Sequence, residues 1–481
     1  MKMRLRNSLF FFVFILAAFF LPAVVFGDEI GSSKSFYIDS NYSSSSNNQA
    51  EGKLLLSTNR LYFYIENNYW ESKEDEEKKE IEKFLQGLDD EFNRKIYPGI
   101  TAAFGVEMYS GINKDPKITL FFHPTKSGVN GYIRNVDAYE KVVAPSSNER
   151  KMIYMSTDFK WTKETLAHEL VHLITLSKKD LRHNVREDTW LNEARAEYAI
   201  TLLGYNEGSN SYINSRISSF LERPYTSLTN WNSSNYDYAI INSFIHYLVD
   251  HYGLSVLSGS LNSKKVGVES IEDALTNSGH RDSFADIFTN WAIASYINDC
   301  GAGSKYCFKN ERLSSVLVIP FANFLPFSGD NTLYTGQTLS NYSAHWQRYA
   351  GGKGDLTIKF VNPSKKAMKV PYIIKKTSGE NVVRFIDLNQ NQEGELVVTG
   401  IGSTVGYVTV IPVLADSTID NQSYFYSLTA QTFVRENQGN NVNIDLPFEL
   451  DKPLNQMNRE ELLMVIIRTI IYLLVQGKLV I

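Results

Sequence analysis

The segment Thr165-Leu-Ala-His168-Glu169-Leu-Val-His172 constrains this chain more than any other. Wound as a helix, it puts His168 and His172 one turn apart on the same face. Two ring nitrogens can then converge on one cation. Glu169 stands beside the first imidazole, where its carboxylate can hold and deprotonate a water molecule next to that cation. The pentapeptide alone is only a hypothesis; a second motif downstream makes the case.

A tetrahedral catalytic zinc takes three protein ligands and keeps one position open. Beyond His172 comes Trp190-Leu-Asn-Glu193-Ala-Arg-Ala-Glu197-Tyr-Ala, a second alanine-rich helical stretch. Glu193 can supply the third ligand. Glu197, one turn further along that face, is placed to accept the free N–H of a ligand histidine and fix its tautomer. The competing reading is a solvated acidic face with Arg195 between the two carboxylates.

This arrangement resembles the gluzincin metallopeptidases, the thermolysin-like group that holds zinc with His, His and Glu. Within that group it is most similar to the secreted hyicolysin-type (peptidase MA) branch. Three further stretches carry the resemblance. Pro145–Met155 reads as the edge strand before the zinc helix, Tyr238–Gly253 is similar to the tyrosine-bearing helix, and Ser283–Ala294 is similar to a helix common in the branch. The resemblance spans roughly residues 51 to 350. It departs at Ala194, where relatives usually carry glycine. It implies His168, His172 and Glu193 as ligands of one Zn2+, Glu169 as general base and Glu197 as the acid that orients a ligand. It also implies Tyr238 as donor to the tetrahedral oxyanion, with Tyr236 as the neighbouring alternative. Among 28 tyrosines most must pack rather than react. His246 and His251 fall on the Tyr238 helix, and His183 or His246 could face substrate, though a satisfied structural histidine is the commoner outcome; His123, His280 and His345 carry no spacing argument.

The N-terminus says where such chemistry would happen. Lys2, Arg4 and Arg6 precede an apolar run from Leu9 to Val25, and Val25-Phe-Gly27 offers small residues for cleavage. Residues 1–27 therefore read as a secretory signal peptide, with an uncleaved membrane anchor as the alternative. The two cysteines, Cys300 and Cys307, are expected to close one disulfide in an exported protein. A formal net charge of −5 provides no basic patch and argues against nucleic acid as a partner.

Composition divides the rest. Residues 28–50, with Ser43-Ser44-Ser45-Ser46-Asn47-Asn48, read as a polar linker or pro-segment. Leu54–Ile65 reads as paired strands, Glu76–Ile96 as an amphipathic helix, and Ile118–Phe122 and Met152–Met155 as further strands. From Thr162 to Tyr296 the period is helical. Residues 51–335 are thus expected to form an α+β zincin (gluzincin) catalytic domain. Short strand candidates between 356 and 432 predict an all-β sandwich accessory domain over residues 336–450. Its role is substrate or surface binding, or plain stabilisation. Residues 451–481 hold a helix starting at Asn458 and Glu461, apolar nearly all round through Val475. Too short to span a bilayer comfortably, it suits self-association, docking at a cell surface or packing on the sandwich.

The combined expectation is a secreted zinc metalloendopeptidase acting on peptide bonds of extracellular proteins. The alternative is a surface-attached binding or assembly protein with a vestigial zincin domain. Nothing in the sequence marks the amine anchor of an exopeptidase.

Overall fold

Along Leu61-Tyr-Phe-Tyr-Ile65 every side chain is buried, and successive ones face opposite sides of a sheet. Leu61, Phe63 and Ile65 enter a large core with Leu120, Phe122, Ile153 and Met155. Tyr62 and Tyr64 enter a smaller, aromatic core with Phe36, Leu54, Phe121 and Tyr154. The strands are β1 (Ser33–Tyr37), β2 (Gln49–Ser57), β3 (Leu61–Glu66), β4 (Ile118–His123), β5 (Gly131–Tyr132) and β6 (Met152–Ser156), in the order β1-β2-β3-β4-β6-β5. Strands β3, β4 and β6 are parallel neighbours, while β5 runs antiparallel along β6 at the edge. This computed structural model describes residues 27–107, 114–206, 211–325, 332–433 apart from 417, 419 and 421, and 452 with 456–475.

Helices pack on the larger core. Helix α1 spans Asn67–Glu71 and α2 Asp75–Glu91, the latter begun by a reciprocal cap between Glu74 and Glu77. The periodic stretch expected over Glu76–Ile96 then passes through a π-helical turn, Phe92–Ile96, into α3 (Tyr97–Phe104). After β6 come α4 (Thr162–Thr175), a π-helical continuation Leu176–His183, and α5 (Thr189–Leu202). Helices α6 (Tyr212–Glu222), α7 (Asn235–Tyr252), α8 (Leu254–Asn262), α9 (Gly267–Asn277) and α10 (Phe284–Ile297) complete the layer. Ser234 with Asp237 caps α7, and Ser283 with Asp286 caps α10.

Two expectations fail here. Residues 28–50 are not a linker. They supply β1 and the start of β2, a bridge joins Ser43 to Thr125, and Asp28 accepts hydrogen bonds from Lys34, Tyr64 and Arg150. The polar side chains that suggested a free segment bind the chain down instead. Pro145–Met155 is not the edge strand either: it leads into β6, an interior strand, and the edge belongs to β5. Two residues are too few to show a strand period.

The second sheet has nine strands, and three short ones lie beside it. Its members are β7 (Phe321–Leu325), β8 (Leu333–Ser340), β10 (Gln347–Gly351), β11 (Gly354–Val361), β13 (Pro371–Lys376), β14 (Asn381–Phe385), β15 (Glu393–Ile401), β16 (Val405–Val410) and β18 (Ser423–Phe433). The short strands β9 (Ser343–Ala344), β12 (Met368–Lys369) and β17 (Val413–Leu414) pair among themselves. A single pairing, Ile401 with Val405, joins its two halves at a corner, and the nearly closed sheet wraps its own core of Tyr349, Ile358, Phe360, Val408 and Tyr426. The boundary expected at 335/336 is overturned, because β8 runs through it and β7 pairs with β10. Tyr342 and Trp346 also enter the large helical core, where the Trp346 indole donates to the Ala292 carbonyl at 3.0 Å. The chain through Phe433 is one unit. The molecule is mixed α/β with a nearly closed β region, and Cys300 and Cys307 are joined as a disulfide.

Residues from Val434 form a second unit, and the last strand among the described residues is β18, which ends at Phe433. Its helix α11 (Arg459–Val475) starts at the expected reciprocal cap between Asn458 and Glu461. Leu463, Met464 and Ile466 are exposed on it. No helix among the described residues is long and apolar enough to cross a membrane. Residues 1–26 of the expected signal peptide lie outside the described residues.

Candidate metal centre

Helix α4 is buried nearly all round, with Leu166, Leu170, Val171 and Ile174 in the core, so its orientation is set by packing. Helix α5 packs against it, with Trp190, Leu191, Ala194 and Ala196 all buried. This packing carries Glu193 to the histidine face of α4. Nε2 of His168 lies 3.2 Å from Oε2 of Glu193, and Nε2 of His172 lies 3.6 Å from Oε1. All three candidate ligand atoms fall within 4.8 Å of one another. The two imidazoles meet edge-on, with ring centroids 4.7 Å apart.

The donor set fits zinc. Two neutral nitrogens and a carboxylate are its ordinary ligands, and Oε2 of both Glu193 and Glu169 are buried without a hydrogen-bond partner. Buried acceptors left in that state are costly unless a cation or proton serves them. Burial opposes ionisation of Glu193, yet the neighbouring His172 and His168 hold its carboxyl well below the usual range. The same pairing overcomes burial to raise His172 to about 9. Burial dominates at Glu169 and pushes it up, against the pull of both imidazoles.

Glu197 does not serve the role the resemblance implied. Its carboxylate accepts two hydrogen bonds from Arg216 at 3.0 Å, one from the Tyr212 hydroxyl at 2.6 Å and one from Asn242 at 3.2 Å. It therefore anchors Arg216, and no ligand histidine bonds it. The buried atoms that face the unmet need are Nδ1 of His172 and Oδ1 of Asn192, both lacking a hydrogen-bond partner. Asn192 raises the affinity of His172 for its proton, which makes it the better candidate for orienting that ring. The residue stood within the Trp190–Glu193 motif; Arg216 and Tyr212 sit on α6 and had no signal of their own.

The centre opens on a cleft of about 1240 Å³. One wall is β5 with Asn130 and Ile133, and the other is formed by Tyr212, Arg216 and Tyr238. Tyr238 packs edge-on against Trp231 at 4.9 Å and lies beneath the Arg216 guanidinium at 4.7 Å. Burial and the charges of Glu193 and Glu197 raise its pKa far above the usual phenol value, so it keeps its proton. Tyr236 bonds Glu222 on the surface instead. The other histidines fall away: His246 is satisfied by Thr201 and the Asn242 carbonyl, and His183 does not line the cleft. Asp39 and Tyr42, from the segment expected to be a linker, do line it.

No family model matches the chain, and no curated protein matches it. Among solved structures, 24% of the chain is similar to 97% of the pre-peptidase C-terminal domain of a Bacillus anthracis collagenase, at 11% identity and a TM-score of 0.18. A further 23% match covers 94% of PliG, a periplasmic inhibitor of g-type lysozyme from Aeromonas hydrophila, at 10% identity and a TM-score of 0.17. A GH115 4-O-methyl-α-glucuronidase, BtGH115A, is similar over 66% of this chain and 52% of its own, at 10% identity and a TM-score of 0.14. Likenesses this slight carry no argument about activity.

Proposed function

We propose that this chain is a secreted zinc-dependent endopeptidase of the gluzincin kind, with a zincin catalytic region and a β-sandwich accessory region. The observation that carries the reading is the convergence of His168, His172 and Glu193 within 4.8 Å, with Glu169 beside them at the floor of an open cleft. When bound, zinc supplies Lewis acidity, polarising oxygen atoms brought to its open position. Glu169 takes the proton of the attacking water and delivers it to the leaving amine; its burial raises its basicity for that task. Tyr238 donates its hydroxyl to the oxyanion, a bond strongest in the transition state. Arg216, held rigid by Glu197, presents positive charge to the same wall of the cleft. Strand β5 has β6 on one side only, so an extended peptide can add to its free edge through backbone hydrogen bonds. The cleft volume exceeds the roughly 300–1,000 Å³ usual for small-molecule sites, which favours a polymer substrate.

The apolar N-terminal run and the disulfide support action outside the cell. Helix α11, with exposed apolar residues, suits self-association or attachment at a cell surface. Digestion of casein by the purified chain, with and without 1,10-phenanthroline, tests the proposal. Cleavage abolished by the chelator, restored by zinc and absent from Glu169→Gln is the expected result. Cleavage that ignores the chelator, or persists in that variant with its metal retained, refutes it.

A further inference from the structure

The segment between β1 and β2 is more firmly built than its composition suggests. The Tyr42 carbonyl accepts from the Lys126 N–H at 2.8 Å, Ser44 N–H donates to the Pro124 carbonyl at 3.1 Å, and Ser43 bridges to Thr125. Asp39 N–H donates to the Tyr132 hydroxyl at 3.2 Å, so the segment is tied to β5 as well. Its one aromatic side chain, Tyr42, is 40% exposed within the cleft.

The Tyr42 ring rests on Tyr132, with centroids 4.9 Å apart. Tyr132 in turn stacks parallel on Tyr154 at 4.6 Å and shares a hydrogen bond with buried His123 at 2.9 Å. The exposed ring thus stands on a fixed aromatic base. Tyr42 lines the same cleft as His168, Glu169 and Glu193, and partial burial with the charges of Asp39, Glu193 and Glu169 raises its pKa. Tyr238 approaches that centre from the helical wall, and Tyr42 from the sheet. A rigid, half-exposed aromatic ring beside a free strand edge is the kind of group that anchors a bound chain.

We propose that Tyr42 is a substrate-binding residue, whose ring packs against a peptide side chain where the substrate passes from β5 over the metal centre. This rests on the peptidase reading above. The contact exists in ground state and transition state alike, so it lowers KM and leaves kcat nearly unchanged.

The test uses the full chain, a quenched-fluorescence casein-derived peptide, and the variants Tyr42→Ala and Tyr42→Phe. Tyr42→Ala is expected to raise KM about tenfold with kcat held within about twofold. Tyr42→Phe, which keeps the ring, is expected to stay within about twofold of wild type in both. Zinc content and melting temperature should match wild type in each. A KM for Tyr42→Ala within twofold of wild type overturns the proposal, as does a KM rise accompanied by lost zinc or a lowered melting temperature. A loss in Tyr42→Phe as large as in Tyr42→Ala would put the contact on the hydroxyl and overturn the packing role. If the wild-type chain cleaves nothing, it is the peptidase reading that fails. Anisotropy of the labelled peptide against Glu169→Gln, with and without Tyr42→Ala, then decides Tyr42 separately: tenfold weaker binding supports it and equal binding overturns it.

Discussion

Oε2 of Glu193 lies 3.2 Å from Nε2 of His168 and yet accepts no hydrogen bond there. A ring proton or a cation must serve that oxygen, since a buried carboxylate left unserved is costly. A cation shared with His172 would serve all three groups at once. The centre's other assignments depend on which groups surround that shared position.

Tyr238→Phe removes the hydroxyl from the helical wall and leaves the packing on Trp231 intact. We expect kcat to fall by about 100-fold with zinc content unchanged. Steady-state kinetics with metal analysis checks this, and an unchanged kcat moves the oxyanion role elsewhere.

Glu197→Gln separates anchoring from histidine orientation. Glu197 is wholly buried, and it bonds Arg216, Tyr212 and Asn242. Losing the carboxylate leaves a largely buried guanidinium poorly paired, at a cost of about 3 kcal/mol in stability. Zinc affinity should change little. A tenfold or greater loss of zinc affinity in competition with a fluorescent chelator would restore the orienting role.

Gly131→Ala strikes the contact between β5 and α4. A Cβ at that position would meet Cγ2 of Thr165 at 2.5 Å and the Tyr154 carbonyl oxygen at 2.9 Å, with Cγ of Glu169 at 3.5 Å. The strand must shift away from α4, destabilising the fold by about 1–3 kcal/mol and, on the proposed reading, weakening peptide binding. Denaturant unfolding and KM measure the two effects.

Asp28 links stability to acid. Burial alone would raise its pKa, but the Lys34 hydrogen bond, the Arg150 charge and the Tyr64 hydroxyl outweigh that and hold it at about 2, against an ordinary 3.8. A depressed carboxyl stabilises the fold above its unfolded value, and that stability is lost as pH falls from 3.8 towards about 2. Wild type should therefore exceed Asp28→Asn in urea midpoint at neutral pH. The gap should narrow through that acid window. A gap independent of pH would show the charge to be irrelevant.

How much of this was legible in the sequence depends on distance along the chain. His168, Glu169, His172 and Glu193 could be read because helical period fixes their relation within two short motifs, and folding needed only to bring those two helices together. Six strands of the nearly closed β region, β11, β13, β14, β15, β16 and β18, were likewise visible as apolar runs, whereas β7, β8 and β10, ahead of residue 356, were not. Glu197 was misassigned because its partners, Arg216 and Tyr212, come from another helix and carry no motif. Tyr42 was hidden in a Ser- and Asn-rich stretch whose order comes from backbone bonds to Pro124 and Lys126, which composition does not record. The edge strand β5 escaped because it is two residues long, and the boundary at 335/336 failed because Trp346 packs across it.

Zinc K-edge X-ray absorption on the purified chain bears most directly on the proposed shared cation. One zinc per chain in a low-coordinate shell is expected. Two imidazole nitrogens at about 2.0–2.1 Å and a carboxylate oxygen at about 2.0–2.2 Å should surround it, and the oxygen contribution should be lost or weakened in Glu193→Ala. A chain that holds no zinc, or a spectrum unchanged by removing Glu193, would contradict the shared site.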